Sequence, residues 1–474
     1  MSSDRTGARA VPSAAAPRDR LLVLAGVAVL ATLGFEMVPL PVRAQVSPLA
    51  SLIALVALPA AAGRVRALPR SPVLIAVLGF VLFAAAHSVV ALGIDALVCG
   101  PSALRTAAWL RQLAALAAGA SVFVVLRVTL FALRDGAVAR AVAIGALPGV
   151  VLALVNVAWG TLRVAPAAHI VTVARYMMLP PGLSVPGHFA DPERASGFCL
   201  EPSHFSIFLA AVAIPATFVW LVAARRRWLP ALVIAAAGIA LLWTFSVTGV
   251  AVAAGILLAL ALATRLRRAA LVMLAAGAVA LVALIVAFPN NYIVFQAGRV
   301  VSLLAHGDLA HLPPSVTVVV FGTVGPFARV LSSLNLLGYG LGGTATHAGA
   351  ILPAAALHDI GMVSWPDMPN LTTSPGRVFA ETGLAGLILF TSMWVTALRR
   401  LAGPADAPPA GGVASVARAA AFAGLVGLAI AHTIKIGSFA VPFVWFWLAY
   451  VDARTAPQGN ESPVQGGRGA RRLW

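Results

Sequence analysis

From residue 21 to residue 452, one apolar stretch follows another, broken mainly by short basic turns. Each stretch is near the roughly 18–20 residues that a helix needs to cross a bilayer. In hydrocarbon every backbone N–H and C=O must find an internal partner, so only helices and closed barrels can span it. The alternating strands of about ten residues that mark a barrel are absent. The 474 residues are 61% hydrophobic and only 10% charged, whereas soluble chains carry about a quarter charged residues. The expectation is an all-α polytopic integral membrane protein.

The apolar pattern places spans at 21–40, 46–62, 72–95, 112–133, 141–160, 202–223, 229–245, 247–264, 269–288, 375–398, 417–434 and 437–452, about twelve transmembrane helices in one domain, 21–452. The stretch 316–337 is also apolar, but Arg329, Gly322, Gly325 and Pro326 interrupt it, so it reads as re-entrant or interfacial. The net charge of +18 comes from 32 Arg and one Lys against 15 acidic residues. These cations sit mostly in the turns, such as "RVRALPR" at 64–70 and "RRRW" at 225–228. They therefore orient the chain, and nucleic acid is not an expected partner. Placing both termini in the cytoplasm puts about two thirds of them on that side, as cytoplasmic loops require. Residues 1–44 also fit a signal peptide loosely, with Val42-Arg43-Ala44 as cleavage site.

This orientation makes 1–20 a cytoplasmic tail, 399–416 a Pro/Gly/Ala-rich cytoplasmic linker and 453–474 a disordered cytoplasmic tail. It puts the two long loops, 161–201 and 289–374, on the outer face. Long loops in a compact protein are usually functional.

Ionisable residues gather where those loops meet the membrane. "RASGFCLEPSHFS" (194–206) carries Arg194, Glu201 and His204 into the sixth span. Pro202 suits a first helical turn, whose free N–H groups and partial positive charge favour anions. Glu201 and His204, three apart, share a helix face, and Phe205 and Phe208 can exclude water. The alternative is a simple interfacial cap, with Arg194 paired to Glu201. In the second loop Arg329 precedes Gly340 of "NLLGYGLGG" (335–343), whose glycines allow close approach to phosphate or sugar. His347, His358, Asp359 and Asp367 follow without metal-ligand spacing, so no metal site is expected. Arg377 and Glu381 stand at i, i+4 in the tenth span. Arg before Glu is the weaker order, which leaves room for another partner to Arg377. Arg127 lies within span four, as a functional charge or a snorkelling one. Arg105 and Arg111 fall on the preceding loop. Cys99 and Cys199 both fall outside, where a disulfide is allowed.

These landmarks resemble the Wzy-type O-antigen and exopolysaccharide polymerases, within the superfamily that includes the O-antigen ligases. The arginine followed by "SGF" and "EPS", the serine/threonine-rich "LLWTFSVTG" (241–249), "LLGYGLGG" and "FAETGLAGLILF" stand in the family's order over roughly 195–390. The spacing from Arg329 to Gly340 is similar to one in polymerase loops. The ligases' His-Asn pair before the last motif is missing: "MPNLTTSPGRVFAE" offers Asn370 but no histidine, which favours polymerase over ligase. The resemblance implies a GT-C-like, metal-independent, inverting glycosyltransferase without cofactor in the bacterial inner membrane. It would join undecaprenyl-diphosphate-linked oligosaccharides at the periplasmic face, in partnership with a Wzx-type flippase and a chain-length regulator. On this reading Arg194, Arg329 and Arg377 cradle the diphosphate, with Arg175 in reserve. Glu201 is the first candidate base and His347 the second, supported by His204, Gly340 and Glu381. A transporter or a flippase for lipid-linked glycans is the alternative from another class.

Overall fold

The computed structural model describes residues 17–36, 49–161, 163–178, 194–199, 201–263, 267–306, 320–346, 373–402 and 412–456, and among these there is no strand. The helices are α1 (Pro17–Ala31), α2 (Leu49–Val65), α3 (Pro72–Cys99), α4 (Ala103–Ala132), α5 (Asp135–Gly160), α6 (Ala165–Met178), α7 (Pro202–Ala223), α8 (Trp228–Trp243), α9 (Val247–Ala263), α10 (Arg267–Ala287) and α11 (Tyr292–His306). Then come α12 (Gly325–Ser332), entered through a π turn at Val320–Val324, α13 (Gly343–Thr346), α14 (Ser374–Ala402), α15 (Val413–Ile434) and α16 (Pro442–Thr455).

Local chemistry explains the helix starts. Ser71 and Ser102 accept hydrogen bonds from the Leu74 and Arg105 amides at 3.1 and 3.4 Å, and Pro72, Pro202 and Pro442 occupy first turns, where no N–H is needed. The Ser102 cap starts α4 well before residue 112. Arg105 and Arg111 therefore lie on a helix rather than on a loop, and Arg105 pairs with Asp95 at 2.6 Å. Helix α1 ends at Ala31, short of residue 40.

Each of the twelve predicted spans contains a helix. Seven of them, α3, α4, α5, α7, α10, α14 and α15, are long and apolar enough to cross a membrane. The described residues are thus all-helical, and the chain is a membrane protein by the length and apolarity of its helices. Val272, Val279 and Val286 of α10 and Leu82, Val90 and Leu97 of α3 are exposed, as lipid-facing side chains are. Close approach uses small residues: a Cβ on Gly145 would lie 2.1 Å from the Ala31 carbonyl oxygen, the tight packing usual between helices in lipid. Helix α16 sits in the core, with Trp445, Trp447 and Tyr450 buried rather than belted at an interface. The Trp447 indole donates to the Ala211 carbonyl at 2.7 Å, inside a π turn of α7 at Leu209–Ala213.

Both long loops carry helices: α6 packs on α5, and α12 packs on α14. Phe327 of α12 stacks on Phe379 of α14 with centroids 4.5 Å apart. Helix α14 is broken. Gly383 has φ 67°, and the segment before α13 bonds across the break: Leu384 donates to the Leu336 carbonyl, and Tyr339 and Gly340 to those of Ala380 and Glu381, at 2.7–3.0 Å.

The bundle has two unlike ends. One, the arginine end, joins Arg64 to Asp19, Arg127 to Asp452 and Arg454 to Asp135. The other, the loop end, gathers the end of α5, the starts of α7 and α14, and the turn 435–441 between α15 and α16. Residues 1–16, 403–411 and 457–474, covering most of the expected tails and linker, lie outside the described residues.

Candidate functional site at the loop end

The turn 435–441 organises this end. Lys435 and Ile436 amides donate to the Ala431 carbonyl at 2.8 and 2.9 Å. The Ile436 carbonyl in turn accepts the Ser374 amide at 2.9 Å, and the Ser374 hydroxyl lies 2.6 Å from Nδ1 of His432. The Gly437 carbonyl accepts Nη1 of Arg377 at 2.6 Å.

Arg377 has no exposed surface. Its guanidinium reaches Glu381 at 3.1 Å and the side chain of Gln112, and lies over the Phe439 ring at 5.1 Å. Glu381 also accepts from the Thr344 hydroxyl. The expected i, i+4 pair is present, and so is the further partner that its order left room for. Arg377 is enclosed, not open to a ligand.

Glu201, in extended conformation before Pro202, pairs with Nζ of Lys435 at 2.8 Å and accepts the Ser203 hydroxyl at 2.8 Å. The anticipated Arg194–Glu201 pair is replaced by this one. Burial alone would push the Glu201 carboxyl up. The Lys435 ammonium, with His204 and the Ser203 hydrogen bond, outweighs it and holds the group below the usual carboxylate range. His204 turns to Glu36, 3.0 Å from Nδ1, behind buried Phe205 and Phe208. Cys199 is buried nearby and Cys99 is exposed; both are free thiols. Burial, then the charge of Glu36, pushes the Cys199 thiol up, away from thiolate chemistry.

Arg194 lies on another side of the loop end. Its Nε donates to the Thr244 carbonyl at 3.1 Å and its guanidinium stacks 3.9 Å over Tyr292. Asn156 fixes the Arg194 carbonyl at 2.6 Å. Arg194 and Arg377 thus bind different elements.

Gly340 has φ 80°, and its amide is committed to the Glu381 carbonyl. A Cβ there would meet Ala91 at 2.9 Å, and one on Gly342 would meet Ala108 backbone at 2.7 Å. The glycine run fits the chain against α3, α4 and α14, leaving the Gly340 amide no phosphate to receive. Arg329 and Arg175 fall on α12 and α6, their side chains outside the described residues, as is all of His347.

Sequence reasoning missed Lys435, Gln112, Thr344 and Tyr292 as site neighbours. One signal pointed to Lys435: it is the single lysine in a chain with 32 arginines. An apolar groove lies elsewhere, lined by Leu21, Leu52, Val56 and neighbours on α1 and α2.

Comparison with models of known protein families and with curated proteins finds no match.

Proposed function

We propose that the chain is a membrane glycosyltransferase that polymerises undecaprenyl-diphosphate-linked oligosaccharide units at the periplasmic face into a surface polysaccharide. One observation carries the reading: the resembling segments meet. The Ala195 amide donates to the Trp243 carbonyl and the Gly340 amide to the Glu381 carbonyl. Gly249 packs on Ser206. The turn 435–441 links the two groups, through Lys435 to Glu201 and Gly437 to Arg377. Segments more than a hundred residues apart thus share one end, opposite the arginine-rich turns, which suits a periplasmic site over cytoplasmic basic loops.

In the reaction, an acceptor hydroxyl attacks the anomeric carbon of the lipid-linked glycan. The bond from that carbon to the diphosphate oxygen breaks, and its electron pair stays on the diphosphate. Cations stabilise that growing charge; Arg194 and Arg329 are the arginines retained for this role. The hydroxyl proton passes to the Glu201 carboxylate. Arg377 acts from inside, holding the turn.

Surface glycan from cells carrying Arg194→Ala, separated on a gel, tests the proposal. Long chains should disappear while single repeats remain. Loss of every repeat, with lipid-linked material accumulating outside, assigns the chain to the ligases. The break in α14 beside a buried ion pair favours a second reading, a transporter; unchanged glycan with altered solute uptake would select it.

A further inference from the structure

We infer that Lys435 is a further residue that takes hold of the substrate's diphosphate, exchanging Glu201 for it. The inference rests on the polymerase reading, which supplies the diphosphate lipid.

The cations at the loop end differ in what they can still do. Arg377 is enclosed and holds Glu381, Gln112 and a backbone carbonyl. Reaching an entering headgroup would break a buried pair. Arg194 is stacked on Tyr292 and bonded to the Thr244 carbonyl. Lys435 keeps 21% of its side chain exposed, and Glu201 keeps 43%. A partly exposed ion pair contributes less to stability than a sealed one, and its exposed side leaves room for a competing anion. A diphosphate offers more charge and more acceptor oxygens than a carboxylate. The ammonium has three donors, so it can meet a phosphate oxygen before it leaves the carboxylate.

The backbone beneath it is fixed. Bonds to Ala431, from Ser374 to Ile436 and from Arg377 to Gly437 hold Lys435 itself and the two residues after it. The ammonium therefore swings on its own stem from a set origin, towards a substrate arriving at the open face of Glu201.

This exchange has a chemical consequence. The Lys435 ammonium is the largest of the influences that hold the Glu201 carboxyl down. When the ammonium turns to the diphosphate, the carboxylate becomes a stronger base. The acceptor hydroxyl then loses its proton to Glu201 as its oxygen bonds the anomeric carbon, and the diphosphate leaves with the electron pair. Binding of the donor thus readies the base.

The test measures undecaprenyl diphosphate binding to the purified full-length protein in detergent micelles, with undecaprenol as the uncharged control. Lys435→Ala should weaken binding by about tenfold or more, the scale of a lost charge-assisted contact. Lys435→Arg should keep most of it. Glu201→Gln should tighten it, because the lysine is released; a purely structural pair would give no gain. Excess inorganic pyrophosphate should displace the lipid from wild type. Wild-type binding with unchanged K435A affinity overturns the inference and leaves the polymerase reading standing, as does failure of pyrophosphate to compete. Equal retention of undecaprenol and undecaprenyl diphosphate by wild type overturns both. Melting curves for each variant confirm that the material is folded; the partly exposed position of Lys435 makes K435A tolerable.

Discussion

At the arginine end, Arg127 and Asp452 have no exposed surface, and Asp452 also accepts from the Ser71 hydroxyl and the Leu74 amide. At the loop end, Glu201 and Lys435 form a pair of the same chemical kind with both side chains partly exposed. The difference is enclosure. Arg127 further donates to the Pro69 carbonyl and lies over the Phe131 ring, so its network ties α3, α4 and α16 together with no water to compensate a lost partner. Breaking such a pair strands a charge in an apolar interior; breaking the open one returns two groups to water. The Arg127–Asp452 pair is sealed, and the Lys435–Glu201 pair is the one proposed to change partners.

The largest expected effect tests the closed end. Asp452→Ala should cost about 3–5 kcal/mol, the penalty for an uncompensated buried charge, read as a large fall in melting temperature in detergent. If D452A melts with the wild type, the contrast between the ends fails. Next comes the hinge of the loop end. At Gly383 the chain has φ 67°, and a Cβ would lie 2.2 Å from the Leu336 carbonyl oxygen. Gly383→Ala should cost about 1–3 kcal/mol through backbone strain, and, on the proposed polymerase reading, it should abolish chain lengthening by displacing the segment 336–340. A G383A protein with full activity would show that the break is dispensable.

The smallest effect sharpens the comparison from the open side. Glu201→Gln should change stability by less than about 1 kcal/mol, as exposed pairs do. Its pH dependence has a definite sign. A carboxyl held below its ordinary 4.5 contributes fully above that value, and the contribution is lost as pH falls through the lower folded value. Melting temperatures of wild type and E201Q should therefore run parallel from neutral pH down to the ordinary carboxylate range, and converge only in stronger acid. Divergence near neutrality would contradict the Lys435–Glu201 assignment.

Much of the fold was legible because its signals are local. Hydrophobic length located the helices, and Pro202 marked one start. The site was legible as a neighbourhood and less so as pairings. Arg194, Glu201, His204, Arg377 and Glu381 do lie at one end. Glu201 nevertheless chose Lys435, 234 positions away in the chain by number, and His204 chose Glu36. Gly340 read as an open phosphate contact because a glycine run permits close approach; what approaches is α3, with Glu381 taking the amide. Gly383 falls inside the predicted span 375–398, with no local sign of a break. Its left-handed conformation follows from bonds made by residues 336–340, invisible to any local window.

The sequence by itself determined that this chain is helical, apolar and basic in its turns, because backbone satisfaction, helix caps and hydrophobic length act within a few residues. Only the tertiary structure decided which charges are sealed and which stay partly exposed. That choice depends on burial and on partners brought together by packing, and the same cation–carboxylate chemistry serves as a strut or as a contact according to how much water reaches it.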